Sequence, residues 1–221
     1  MTFASPDAAV AIAMPPFPPS PPSRLLILGS SSPYRKELLE RLRVPFSVVS
    51  PEVDETPLAG EAPSALASRL ALAKARAIAA AFPEAVVIGS DQVADLHGMP
   101  LGKPGSHARA ALQLQQMRGQ TVLFQTAVAV VCMEIGFEAA ALATVKVKFR
   151  QLHDDEIENY LQREQAYDCA GSAKSEGLGI TLLESIESDD PTALVGLPLI
   201  RTCRLIEAAG IRLLGQSKAR P

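Results

Sequence analysis

Arg35, Lys103 and Lys174 are cations set beside Gly, Ser or Pro in three separate stretches, and Lys74 is a candidate fourth. Two further stretches carry carboxylates, Glu52/Asp54/Glu55 and Asp91. Cations over a small-residue backbone suit a polyphosphate, because each charge-assisted hydrogen bond to a phosphate oxygen is short and strong. Carboxylates suit Mg²⁺ and a water nucleophile. Together these residue types point to a Mg²⁺-dependent enzyme acting on a phosphorylated small molecule. The chain has neither the Gly-x-x-x-x-Gly-Lys-Ser/Thr loop of Walker NTPases nor the Gly-x-Gly-x-x-Gly fingerprint of dinucleotide enzymes. No Ser or Cys sits in a nucleophile elbow, and the histidines are not placed like a triad base.

The elements that must position these residues can be read around them. Leu25–Leu39 reads as a buried strand, a turn of Ser30, Ser31 and Ser32, and a helix opened by Pro33. Proline suits the first helical position, where its missing N–H costs nothing, and the positive end of that helix favours an anion. At 100° per residue Arg35 falls within the Leu38/Leu39/Leu42 stripe and so faces inward, against the helix dipole. Its partner is either an anionic ligand or a buried carboxylate.

Pro45–Val49 reads as a second short strand, and Pro63–Ala81 as a helix with Lys74 at the flank of its apolar stripe. There Lys74 either snorkels outward or reaches a cleft. The three carboxylates of Pro51–Pro57 are either solvated surface or oxygen ligands. Ala85–Val93 reads as a buried strand that ends on Asp91, where the carboxylate serves catalysis, a metal, or its own turn.

His97-Gly98 marks a hairpin tip, and Ser106 caps a helix running to Met117. Thr121–Cys132 and Phe137–Arg150 read as an antiparallel hairpin, and Asp154 as the cap of a helix to about Arg163. Asp168–Ile180 is a Gly-rich loop carrying Lys174 and Glu176; Ser188–Thr192 is a turn, and Pro198 lies near the start of the last helix.

At 221 residues and 48% hydrophobic, the chain can bury one sizeable core. Residues 1–23 are Pro-rich and read as a disordered extension, 24–212 as the folded domain and 213–221 as a flexible tail. A net charge of −3 gives no basic field that argues for nucleic acid. No apolar run approaches membrane-spanning length, and Asp7 before Ala8–Met14 argues against a secretory signal. Cys132, Cys169 and Cys203 are few and scattered, as in reduced cytoplasmic proteins.

Five ordered motifs resemble the Maf family of septum-formation-inhibitor-like nucleotide pyrophosphatases. They are Leu-Gly-Ser-Ser-Ser-Pro-Tyr-Arg-Lys, Glu-Val-Asp-Glu-Thr-Pro, Ala-x-x-Lys-Ala at Ala71–Ala75, Ile-Gly-Ser-Asp-Gln-Val and Gly-Lys-Pro. The resemblance implies an α/β fold like that of the inosine-triphosphate pyrophosphatases, a twisted mixed sheet flanked by helices with a deep cleft between two lobes. It implies hydrolysis of a nucleoside triphosphate to the monophosphate and pyrophosphate. Asp91 matches the proton acceptor, and Arg35, Lys74 and Lys103 match phosphate-binding cations. Glu55 and Asp91 are the expected holders of Mg²⁺, and Ser30 and Lys174 further substrate contacts. Tyr34, Gln92 and Glu176 resemble the branch acting on 7-methyl-GTP, where an aromatic residue (usually Trp), Gln and Glu stand at these places. The dTTP/UTP branch carries Arg, Thr and a Tyr-Gly-x-Gln-Gly loop instead. A dTTP/UTP pyrophosphatase and a non-enzymatic regulator of septum formation are the alternatives. The expected partner is a nucleotide, without nucleic acid or membrane, and with a homodimer left open.

Overall fold

The computed structural model describes residues 24–214; the Pro-rich extension and most of the tail expected above lie outside them. Seven strands form one mixed sheet: β1 (Leu26–Gly29), β2 (Ser47–Val49), β3 (Val86–Leu96), β4 (Met99–Leu101), β5 (Thr121–Cys132), β6 (Phe137–Phe149) and β7 (Leu183–Glu187). The order is β2-β1-β3-β5-β6-β7, with β4 also paired to β3. β1 runs parallel to β2 and β3, and the remaining pairs are antiparallel. Five helices flank the sheet: α1 (Pro33–Glu40), α2 (Pro63–Ala79), α3 (His107–Met117), α4 (Asp154–Glu164) and α5 (Leu199–Ala208). The α/β class inferred from the sequence therefore holds. Among the described residues no helix is long and apolar enough to cross a membrane.

Alternation along β5 sorts the helices onto two faces. Ala127, Ala129 and Val131 point to one face, where they meet Leu66, Leu70 and Ile78 of α2. Val128 and Val130 point to the other and pack with Leu38 and Leu39 of α1 and Ile206 of α5. Val122 and Phe124 belong to a separate core with Leu114 of α3 and Ile157 and Leu161 of α4. α2 lies close against the sheet because its inner stripe is Ala67, Ala71, Ala75 and Ala79, all fully buried. A Cβ on Gly89 of β3 would stand 2.2 Å from the Ala71 carbonyl oxygen and 2.5 Å from the Ala75 nitrogen.

Local chemistry sets the helix starts. Ser32 caps α1 by accepting the Arg35 N–H, with Pro33 following, and Ser106 caps α3 by accepting the Arg109 N–H. Asp154 does not cap α4. His153 holds that position and Asp154 is the first helical residue, while the Glu156 carboxylate accepts the His153 N–H at 2.8 Å. The strand β7 had no counterpart in the sequence reading.

Candidate active site

β3 determines where the cleft forms. Contrary to the sequence expectation, the strand does not end at Asp91 but continues to Leu96. Its neighbour on that side changes instead. β1 pairs with it only up to Gly89, and β4 joins it only from Ala94. Positions 90–93 are left without a strand on that edge, and a cavity of about 600 Å³ opens there. Its walls come from β3 itself (Asp91–Val93), from the turn after β1 (Ser30–Arg35), from the 51–57 segment, from β4 and its exit (Pro100–Lys103), from α2, and from residues 168–176 and 194–196. A binding crevice where strand order changes is a recurring consequence of α/β topology.

Asp91 faces α2, because it shares β3 parity with Val87 and Val93. Lys74 of α2 meets it with Nζ 2.6 Å from Oδ1, and the same ammonium is 2.6 Å from Oε1 of Glu55. Lys74 and Asp91 are both buried, whereas the Glu55 side chain is half exposed. Lys74 therefore turns inward and joins two carboxylates from distant segments. Of the three carboxylates around it in sequence, only Glu55 lines the cavity. Asp54 accepts the Thr56 N–H within its own turn, and Glu52 is exposed. Partial burial pushes the Glu55 carboxyl up, but the Lys74 bond and the charges of Lys74, Lys103 and Arg35 outweigh it and hold the group below the usual carboxylate range.

Arg35 lines the same cavity but makes no ion pair within 4.0 Å among the described residues. Its Nε donates to the Gly196 carbonyl at 2.9 Å and its Nη1 to Ser30 Oγ at 3.3 Å. Burial lowers its pKa, against the raising effect of the Asp91 and Glu55 charges. Of the two partners the sequence left open for Arg35, a protein carboxylate in direct contact is thus absent among the described residues. Lys103 is exposed at the rim.

The opposite face of β3 fixes the 193–196 turn. Ser90 Oγ lies 3.1 Å from the Gly196 carbonyl oxygen, which Arg35 also uses. Gln92 Nε2 lies 2.9–3.0 Å from Thr126 Oγ1 and from the carbonyl oxygens of Ala193 and Leu194. The Gln92 amide is thus a brace for the cavity wall as well as part of its lining. Behind it the fully buried Asp190 accepts the Arg201 N–H at 3.1 Å and pairs with the Arg201 guanidinium at 3.5 Å. In sequence Ser188–Thr192 reads as a turn only, and its one further signal is the Asp pair followed by Arg201.

Tyr34 and Glu176 line the cavity, and Lys174 does not. Lys174 Nζ lies 3.7 Å from Asp168 and 3.9 Å from Glu164, and 5.6 Å from the Tyr34 ring centroid. It stands behind the lining residues Tyr34 and Asp168. Asp168, which no motif in the sequence marks, lines the cavity and accepts the Tyr34 O–H at 3.3 Å.

Among the described residues no three His, Cys, Asp or Glu side chains converge as a metal centre. Glu55 and Asp91 converge as a pair on Lys74, and both offer hard oxygens. That fits Mg²⁺, which is commonly held by one or two carboxylates together with substrate phosphates.

Residues 25–209 match the family described as Maf-like protein. The chain belongs to the Maf family. A Polaromonas sp. protein named 7-methyl-GTP pyrophosphatase is 70% identical over 202 residues, covering 91% of this chain and 92% of the relative. An Albidiferax ferrireducens protein of the same name is 70% identical over 88% of this chain and 98% of the relative. One from Burkholderia pseudomallei is 59% identical over 89% and 92%. The Maf match spans every segment that lines the cavity.

Proposed function

We propose that this Maf protein hydrolyses 7-methyl-GTP to the monophosphate and pyrophosphate, a house-cleaning activity on a modified nucleotide. The observation that carries the reading is the Lys74-bridged pair of Asp91 and Glu55 facing a cavity that also holds Arg35 and Lys103. The names of relatives at 59–70% identity support the same substrate.

In this reading Arg35 and Lys103 bind the triphosphate and offset the charge that grows on pyrophosphate as it leaves. Asp91 accepts the proton of the water that cleaves between the α- and β-phosphates. Lys74 orients Asp91 and holds it in place through the 2.6 Å contact between Nζ and Oδ1. Glu55 and Asp91 would hold Mg²⁺, which when bound supplies further positive charge beside the phosphate oxygens. Tyr34 receives the methylated ring, whose positive charge is attracted to an aromatic face. Glu176, exposed at the cavity and without an ion partner among the described residues, accepts from the guanine N1–H and amino group. Thymine and uracil lack that donor pair, which sets the dTTP/UTP alternative below this one.

Side-by-side kinetics on purified protein, scored for pyrophosphate, test the reading. The expected order of kcat/KM is 7-methyl-GTP, then GTP, then dTTP and UTP. Glu176→Gln should narrow the first gap. A preference for dTTP or UTP would overturn the base assignment, and release of no pyrophosphate from any of the four would favour the regulatory role.

A further inference from the structure

Lys174 places a fixed positive charge beside the ring that the reading above gives to a cationic base. The side chain is only 17% exposed. Its backbone is held by the Lys174 N–H bond to the Tyr160 hydroxyl at 3.1 Å and by close packing of Gly179. The ammonium lies among Glu164, Asp168 and the Tyr34 ring. Left alone, it would repel a second cation arriving at Tyr34.

Two carboxylates answer it. Glu164 lies behind the wall at 3.9 Å, and its other oxygen accepts the Leu178 N–H at 2.8 Å. Asp168 stands at 3.7 Å on the cavity side, with its Oδ2 on the Tyr34 hydroxyl. Asp168 is therefore the carboxylate that lies between Lys174 and the space a base would fill.

We propose that Asp168 is a specificity-determining residue: by neutralising Lys174 beside Tyr34, it lets this wall of the cavity accept a positively charged purine in preference to a neutral one. The inference rests on the pyrophosphatase reading and extends it to a pair of residues that act only on the charge of the base. Burial pushes the Asp168 carboxyl up, but the Cys169 thiol, the Lys174 charge and the Tyr34 hydroxyl outweigh it, so the group is ionised at neutral pH.

The test compares kcat/KM for 7-methyl-GTP and GTP in the wild type, Asp168→Asn, Lys174→Met and the double variant. Asn keeps an acceptor for Tyr34 and removes only the charge. Asp168→Asn should lower the ratio of methylated to plain GTP about tenfold, the scale of one unit charge at this range in a partly hydrated site. Lys174→Met should raise the ratio, and the double variant should return towards the wild type. A purely structural role would slow both substrates by the same factor. An unchanged ratio in Asp168→Asn, or a falling one in Lys174→Met, overturns the inference while a wild type that cleaves both nucleotides leaves the enzyme reading standing. A wild type that cleaves neither overturns both. Should Asp168→Asn fail to fold, Lys174→Met alone decides, because its sign is opposite.

Discussion

Lys74 is one cation held by two carboxylates, Asp91 and Glu55, and both lose this partner if it is removed. Lys74→Met leaves the buried Asp91 charge unpaired, which should cost about 3–5 kcal/mol in stability. Urea unfolding measures it, and the double variant Lys74→Met/Asp91→Asn should recover most of that loss without recovering activity. A Lys74→Met protein as stable as wild type would mean that the ammonium is not what compensates Asp91. Asp91→Asn alone should reduce turnover on the order of 10²-fold or more, and near-normal turnover in a pure preparation would remove Asp91 from the mechanism. Glu55 adds a pH dependence whose sign is fixed by its lowered pKa. Its contribution is complete above its unfolded value of about 4.5 and is lost as pH falls through the folded value.

At the scale of elements, a single strand and a single helix carry the centre. β3 brings Asp91 to the gap between β1 and β4, and α2 brings Lys74 against it because Gly89 allows backbone contact. Gly89→Ala should therefore force α2 outward, costing about 3 kcal/mol as an overpacked contact, and separate Lys74 from Asp91. A variant with wild-type stability and activity would show that the helix is not seated there. The segment bearing Glu55 is tied to α2 by Arg69 and Glu61, whose bond holds the Glu61 carboxyl down at about 2. That tie is complete above pH about 4.5 and released between there and about 2. Much of this was legible locally: Pro33 and Ser106 mark helix starts, and alternation gives the long β5–β6 hairpin. The end of β3 is not legible because Ser-Asp-Gln reads as a turn, while its ladder to β5 continues through Ala127 and Thr126. β7 leaves no pattern in the sequence because Leu-Glu-Ser-Ile-Glu is an exposed edge with no buried face. The contacts of Lys74, Gln92 and Asp168 join segments far apart in sequence, and no local spacing encodes them.

On the scale of the whole molecule, the cavity is assembled from β3, α2 and five further chain segments that meet only in the folded sheet. A ligand that fills it must touch the turn after β1, the 51–57 segment, the exit of β4, the 168–176 loop and the 194–196 turn together. Binding to the native state alone stabilises it by about 2.7 kcal/mol at a hundredfold excess over Kd. For a protein of this size that is a rise in midpoint of roughly 5–10 °C. A non-hydrolysable 7-methyl-GTP analogue with Mg²⁺ should therefore raise the thermal midpoint. The same complex should slow amide exchange in all five segments at once, while the 133–136 turn of the β5–β6 hairpin, whose residues do not line the cavity, exchanges as before. Protection confined to a single segment, or centred on the hairpin turn, would place the nucleotide elsewhere on the protein.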